Sequence, residues 1–109
     1  MDDNEDFLAS ATRLLRSQGL EVVGSATNGE QGLELAGKFR PDIILVDVEL
    51  GDEDGVELAE TLSERFRTST VILISAYDRD EIAELVEPSS AAGFLPKNAL
   101  SATRIAELA

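Results

Sequence analysis

Three polar residues stand where apolar segments of the sequence end, and their types suit phosphoryl transfer. Asp47 and Ser75 each follow an uninterrupted apolar run, and Lys97 follows another short apolar segment. The acidic pair Asp2 and Asp3 lies near the start of the chain. A carboxylate can attack phosphorus as a nucleophile, while a hydroxyl and an amine can hold the phosphoryl oxygens. If the fold brings these side chains together, Asp47 is the expected phosphoryl acceptor.

The acids Asp2, Asp3 and Asp47 would need cations if they lie close together. Two like charges about 4 Å apart repel by roughly 4 kcal/mol at an effective dielectric constant of about 20. Lys97 and one divalent ion would balance the charge of all three carboxylates. Because the chain has no histidine and no cysteine, the ligands are all oxygens, which favours magnesium or manganese over zinc. The sequence therefore predicts a Mg²⁺ or Mn²⁺ site beside Asp47.

The composition excludes several other kinds of chemistry and partner. Without cysteine or histidine there is no disulfide, no zinc-thiolate site and no histidine-based catalysis. The chain has 9 basic and 22 acidic residues, and its formal net charge of -13 repels nucleic acids and anionic membranes. Its apolar runs are too short to span a bilayer. We therefore expect a cytoplasmic protein that binds neither nucleic acid nor membrane directly.

The elements that must position these residues alternate between helices and strands. Periodicity and capping signals predict helices at about Glu5–Gln18, through Leu33–Phe39, at Val56–Glu64, near Asp80–Val86 and from about Ser101 onward. Strands are predicted at Glu21–Ser25, Ile43–Val46, Val71–Ile74 and near Gly93–Leu95. In the first helix, Asn4 is the predicted cap and Phe7 belongs to the apolar face.

This alternation predicts one α/β domain over residues 1–109, with a parallel sheet that is covered by helices on both faces. Ligands of open parallel sheets bind outside the carboxyl ends of the strands. Asp47, Ser75 and Lys97 all follow predicted strands. We therefore expect them to meet at one edge of the sheet.

Five segments, in this order, resemble the successive motifs of the receiver domains of bacterial two-component response regulators. They are Asp2–Asp6, Leu45–Val48, Asp54–Gly55, Ile74–Ala76 and Gly93–Lys97. The resemblance covers nearly the whole chain and implies a flavodoxin-like fold. It also implies that a sensor histidine kinase phosphorylates Asp47, which switches a surface that a downstream effector or output domain reads. Such a domain is not otherwise an enzyme, because it catalyses only its own phosphoryl transfer and dephosphorylation.

The resemblance assigns the metal ligands. It implies that Asp3, Asp47 and the backbone carbonyl of Glu49 bind magnesium, while Asp2 acts through a water molecule. A structural interpretation of the acidic pair is a frayed terminus or a partner of the first helix dipole.

The resemblance also assigns the phosphoryl contacts and the switch. Ser75 and Lys97 would hold the phosphoryl group, and Phe94 would change rotamer when Ser75 moves. Phe94 is otherwise an ordinary core aromatic. Glu49 and Tyr77 stand at positions that tune the lifetime of the aspartyl phosphate in this family. The family's fourth helix, fifth strand and fifth helix would carry the output.

The chain departs from the receiver pattern at its beginning. In the family a central first strand ends at the acidic pair, whereas here only Met1 precedes Asp2. We therefore expect a sheet whose first central strand is missing, and such a gap leaves buried backbone groups unpaired. A misassigned start codon, a shortened chain and a variant that closes its sheet differently, for instance as a homodimer, are all open.

Two other functions compete with the receiver. A pseudo-receiver that is not phosphorylated and serves as a protein–protein interaction module is suggested by the missing strand. A phosphatase with an aspartate nucleophile uses a similar set of acid, hydroxyl and lysine. Such phosphatases place the nucleophile on an early strand, with a second acid two residues after it, and need a longer chain for a substrate pocket. The order of the five motifs favours the receiver.

Overall fold

The computed structural model describes residues 1–76 and 93–109, and these residues form both helices and strands. The strands are Ile43–Asp47 (β1), Glu49–Leu50 (β2), Glu53–Asp54 (β3), Thr70–Ser75 (β4) and Gly93–Pro96 (β5). The helices are Glu5–Ser17 (α1), Gly29–Phe39 (α2), Gly55–Arg65 (α3) and Ala102–Leu108 (α4), with a 3-10 turn at Lys97–Ala99. The helix predicted near Asp80–Val86, like Tyr77, lies outside the described residues.

β1, β4 and β5 form a parallel sheet in that order, and its register brings the polar strand ends to one edge. Asp47 at the end of β1 pairs with Ile74 of β4, and Ser75 at the end of β4 pairs with Pro96 of β5. Lys97 follows directly. The predicted meeting of these strand ends at one sheet edge is therefore confirmed.

Both faces of this sheet are buried, which explains why its strands are apolar throughout rather than alternating. One face packs against α2 and α3 through Ala36, Ile44, Val46, Ala59, Leu62, Val71, Leu73 and Phe94. The other face packs against α1 and α4 through Leu15, Ile72, Ile74, Leu95, Leu100 and Ile105. The prediction of a parallel sheet covered on both faces is confirmed.

Each of these four helices begins at a side chain that accepts a hydrogen bond from the first turn. These caps are Asn4, Asn28, Asp54 and Ser101. Each cap pairs an amide that the helix itself leaves without a partner, which contributes about 1 kcal/mol. Within residues 1–76 and 93–109, no helix has the length and apolar character needed to cross a lipid bilayer.

The strand predicted at Glu21–Ser25 is wrong, because the backbone is irregular from residue 20 to residue 26. The amino-terminal residues contact this segment at its last residue, where the Asp2 N–H donates to the Ala26 carbonyl (3.0 Å). A strand needs a neighbour along its length to complete its hydrogen bonds. The β-branched composition of the segment does not reveal whether such a neighbour is present.

Met1 lies beside β1 as a residue of a parallel strand would. Its amino group donates to the Leu45 carbonyl (2.6 Å), and its own carbonyl accepts from the Asp47 N–H (2.9 Å). Burial lowers the pKa of this amino group from 8.0 to about 6, although the negative charges of Asp2 and Asp47 act to raise it. The interior therefore favours the neutral amine.

An apolar cavity of about 440 Å³ separates β1 from the irregular segment. Its lining includes Ala11 and Leu15 from α1, Leu35 from α2, and Ile43 and Leu45 from β1. Alternate residues of a strand direct their backbone groups to opposite sides. Leu45 accepts its backbone hydrogen bond from Met1, on the cavity side. Ile43 is two residues before Leu45, so its backbone N–H and carbonyl also point to that side.

We expect the free energy of unfolding to rise by about 2 kcal/mol between pH 6 and pH 8, because of the Met1 amino group. Its pKa is lower in the folded state, so the unfolded chain binds more protons in this window and stability is lost as the pH falls. No histidine or cysteine titrates there. Urea unfolding in chelated buffer measures the slope. An N-terminally acetylated chain should show no such rise, and equal slopes for the two chains would contradict the assignment.

An apolar extension before Met1 should fill the cavity and pair with the edge of β1. We expect Val-Ile-Leu-Val to raise the free energy of unfolding by about 2 kcal/mol or more relative to Ser-Gly-Ser-Gly, since a buried aliphatic side chain contributes roughly 1.5–3 kcal/mol before conformational entropy is subtracted. Both extensions convert the amino group to an amide, so their difference isolates the apolar contribution. Equal urea midpoints would show that the cavity does not accept a strand.

Candidate phosphoryl-acceptor site

Lys97 joins two buried carboxylates at the carboxyl edge of the sheet. Its Nζ donates to Asp47 Oδ2 (3.1 Å) and lies 2.5 Å from Asp2 Oδ2. Asp2 and Asp47 are buried, whereas the Lys97 side chain remains 19% exposed. An amine between two acids is the charge balance that the sequence predicts for this edge.

Asp2 is held in place by backbone contacts on both sides. Its N–H donates to Ala26, and its Oδ1 accepts the Asn4 N–H (2.9 Å). It is 0% exposed. The interpretation of Asp2 as part of a frayed acidic terminus is therefore wrong.

The acids Asp2, Asp3 and Asp47 form a cluster that could hold a divalent cation. Each offers one carboxylate oxygen, and these oxygens all lie within 4.8 Å of one another. Asp3 is exposed, so the cluster is open to water on its side. Three carboxylates exceed the single charge of Lys97, and a hard cation prefers oxygen ligands while keeping some of its waters. The donor set fits Mg²⁺ or Mn²⁺.

Glu49 contacts the acceptor through its backbone, and its side chain is exposed. Its N–H donates to Asp47 Oδ1 (3.1 Å), so both oxygens of that carboxylate are engaged. This bond turns the chain sharply after β1 and leads into β2. The position of Glu49 next to the cluster is consistent with the predicted carbonyl ligand, which stays a prediction.

Burial and charge act in opposite directions on the two central groups. Burial raises the pKa of Asp47, while hydrogen bonds from Lys97 and Glu49 partly offset that rise. Burial lowers the pKa of Lys97, but the hydrogen bonds to Asp2 and Asp47 outweigh it, so the pKa of Lys97 is raised overall. Lys97 therefore remains an ammonium ion at neutral pH.

Ser75 and Phe94 lie next to the acceptor strand, on β4 and β5. Ser75 is buried and stands one residue beyond the partner of Asp47 in the register. Phe94 is buried in the core beside α2 and α3 and pairs with Leu73. These positions agree with a core aromatic behind a buried hydroxyl. The phosphoryl contact of Ser75 and the rotamer change of Phe94 stay predictions.

Gly55 is required where α3 meets the end of β1. A Cβ at this position would overlap the Asp47 carbonyl oxygen, and the Gly55 N–H donates to the Val48 carbonyl (2.9 Å). Asp54 caps α3 through the Val56 N–H (2.9 Å). The Asp54–Gly55 pair therefore begins a helix directly behind the acceptor.

Phe7 is a residue of the site that the sequence pattern does not identify. The Lys97 Nζ lies over its ring, 4.5 Å from the centroid. The apolar spacing of α1 places Phe7 on the buried face of the helix, and only the predicted cap at Asn4, next to the acidic pair, hints at its location. A sheet edge that holds a buried aspartate beside a lysine and further acids is the arrangement expected of a receiver domain.

The chain belongs to the response regulator receiver domain family, whose family model matches residues 1–108. It is 28% identical over 105 residues to the transcriptional regulatory protein PdtaR of Mycobacterium tuberculosis, covering 87% of this chain and 51% of that protein. The chain thus spans about half the length of this relative.

Solved structures share its fold along nearly its whole length. A response regulator from Burkholderia pseudomallei with a phosphorylated aspartic acid, calcium ion and citrate has a TM-score of 0.85 at 29% identity, over 99% of this chain and 63% of that chain. The signal receiver domain of a modulated diguanylate cyclase from Desulfovibrio desulfuricans G20 has a TM-score of 0.82 at 32% identity, over 99% of this chain and 87% of that chain. The flavodoxin-like receiver fold is therefore confirmed.

We expect Gly55→Ala to lower the free energy of unfolding by roughly 1–3 kcal/mol, because the added methyl group must displace the Asp47 backbone. Gly37→Ala in α2 is the matched control. Its Cβ would meet only ordinary contact, 3.9 Å from Phe66, so it should stabilise the helix by about 0.5–1 kcal/mol. Urea unfolding measures both changes. A Gly55→Ala protein as stable as the wild type would contradict the close packing.

Proposed function

We propose that residues 1–109 form a single receiver domain that accepts a phosphoryl group on Asp47 from a sensor histidine kinase. The observation that carries this proposal is the Lys97 ammonium between the buried Asp47 and Asp2 carboxylates at the carboxyl edge of the sheet. The phosphorylated aspartic acid in the Burkholderia pseudomallei relative supports it. Phosphorylation would then switch an output surface in two-component signal transduction.

The chemistry needs one nucleophile and positive charge beside it. An Asp47 carboxylate oxygen attacks the phosphorus of the donor, and the bond from phosphorus to the donor nitrogen breaks with its electron pair. The donor imidazole leaves neutral after proton exchange with solvent, and an acyl phosphate remains on Asp47. Lys97 is within hydrogen-bond distance of Asp47 Oδ2, so its ammonium can stabilise the negative charge that moves to the phosphoryl oxygens.

Asp3 and Asp47 are the proposed direct ligands of Mg²⁺ or Mn²⁺, together with the Glu49 carbonyl, and Asp2 acts through water. The cation would supply charge neutralisation between the acceptor and the incoming phosphoryl oxygens. The clustering of the three acids supports this assignment. The orientation of the Asp47 carboxylate by the Glu49 N–H does not depend on the cation.

Ser75 and Phe94 are the proposed switch. The Ser75 hydroxyl would move toward a phosphoryl oxygen, and Phe94 would take a new rotamer in the space released behind it. β5 and α4 would belong to the surface that a downstream effector or output domain reads. The charge of -13 argues against direct binding of this domain to nucleic acid or membrane. The cytoplasmic location expected from the sequence is part of the same proposal.

The domain would act on no substrate other than its own aspartyl phosphate. The assembled acids and amine argue against the pseudo-receiver alternative, because a module used only for binding has no need to bury two carboxylates around a lysine. In the phosphatase alternative Glu49 would have to serve as the second acid, but its side chain is exposed and it meets the Asp47 carboxylate through its backbone N–H.

Incubation with Mg²⁺ and phosphoramidate should add one phosphoryl group, about 80 Da by mass spectrometry. Asp47→Asn should abolish the addition, because it removes the nucleophile. Lys97→Ala should slow it by at least about tenfold, since a charge that stabilises the transition state is lost.

The matched control is Asp52→Asn, the same substitution at an exposed acid of the turn between β2 and β3. This variant should gain mass at the wild-type rate. A folded wild-type protein that gains no mass, or an Asp47→Asn protein that still does, would overturn the proposed function.

A further inference from the structure

Among residues 1–76 and 93–109, the ammonium group of Lys97 has three neighbours, of two different kinds. Two are carboxylates: Asp47 accepts a hydrogen bond from the ammonium, and Asp2 forms an ion pair with it. The third is the face of the Phe7 ring, whose centroid lies 4.5 Å from Nζ. A cation at this distance from an aromatic face is attracted by the quadrupole of the ring. The ring also occupies a side from which water could otherwise solvate the ammonium.

One turn of chain places both the acid and the ring against Lys97. Asn4 donates its N–H to Asp2 Oδ1 (2.9 Å) and accepts the Phe7 N–H at its own Oδ1 (3.1 Å). The cap of α1 therefore connects the position of Asp2 to the start of the helix that carries Phe7. Phe7 also packs against the core on the α1 side of the sheet. The ring is thus anchored independently of the lysine that it contacts.

We propose that Phe7 is a positioning residue that holds the Lys97 ammonium beside Asp47 for phosphoryl transfer, an inference that rests on the proposed function. When Asp47 is phosphorylated, its hold on Lys97 weakens, because the negative charge moves from its carboxylate to the phosphoryl oxygens, whereas Asp2 remains a carboxylate. The ring contact does not use the N–H bonds of the ammonium, so Lys97 can redirect them without leaving Phe7. Phe7 touches neither the phosphorus nor the attacking oxygen in this scheme.

Three substitutions separate positioning from packing. Phe7→Leu keeps an apolar side chain in the core and removes the aromatic face, whereas Phe7→Tyr keeps the face. Phe39→Leu removes a different lysine–ring contact, that of Lys38 at 5.2 Å, from the exposed end of α2. With Mg²⁺ and phosphoramidate, Phe7→Leu should slow phosphorylation about fivefold, and the other two should stay within about twofold of wild type.

A second measurement follows the contact itself without phosphorylation. In ¹H–¹³C spectra, the ring current of Phe7 should shift the Lys97 Cε protons upfield in the wild type and in Phe7→Tyr. The shift should disappear in Phe7→Leu. If Phe7 served packing alone, Phe7→Leu would lower the unfolding midpoint, but the phosphorylation rate would not depend on whether residue 7 is aromatic.

The outcomes distinguish this inference from the function on which it rests. A wild-type protein that is not phosphorylated overturns both. Wild-type phosphorylation with an equal rate in Phe7→Leu, or without an upfield shift of Lys97, overturns only the role of Phe7. A Phe7→Tyr protein as slow as Phe7→Leu also overturns it, because the aromatic face would then not be the cause. A slow Phe7→Leu with a normal rate and shift in Phe7→Tyr supports it.

Discussion

The attraction of the Lys97 ammonium to two buried carboxylates is the interaction on which the site depends. Asp2 and Asp47 repel each other in a region of reduced dielectric, and each loses hydration on burial. Lys97 offsets both effects at 2.5 and 3.1 Å. It reaches them from the end of β5, on the far side of β4, so the ion pairs join segments that are distant in the chain. Removing the amine would leave two unpaired buried charges, which costs more than the pair contributes when intact.

The backbone fixes the acceptor as firmly as the charges do. The Glu49 N–H directs one oxygen of the Asp47 carboxylate, and the absence of a side chain at Gly55 lets α3 begin against the Asp47 carbonyl. Burial would favour a neutral Asp47, whereas Lys97 favours the carboxylate. A nucleophile that is desolvated yet still paired with a movable cation is suited to a reaction in which negative charge passes to a new group.

The start of the chain serves the site and the sheet together. Asp2 supplies a carboxylate to Lys97, and Met1 directly before it hydrogen-bonds to β1. In the described part of the chain, no strand pairs with the edge of β1 beside the cavity. The position of Asp2 therefore rests on the short pairing of Met1 with β1 and on its bonds to Ala26 and Asn4. The stability of this region and the geometry of the acidic cluster are therefore coupled through adjacent residues.

The sequence by itself determined the central strands and the residues that end them, because a strand buried on both faces must be apolar throughout and its polar end residue is then conspicuous. The runs before Asp47 and Ser75 have that form, and the five ordered motifs indicated the receiver fold. Tertiary structure alone decided that Glu21–Ser25 is not a strand and that Phe7 meets Lys97. Strand pairing and a ring–ammonium contact depend on neighbours far away in the chain, which local residue patterns do not encode.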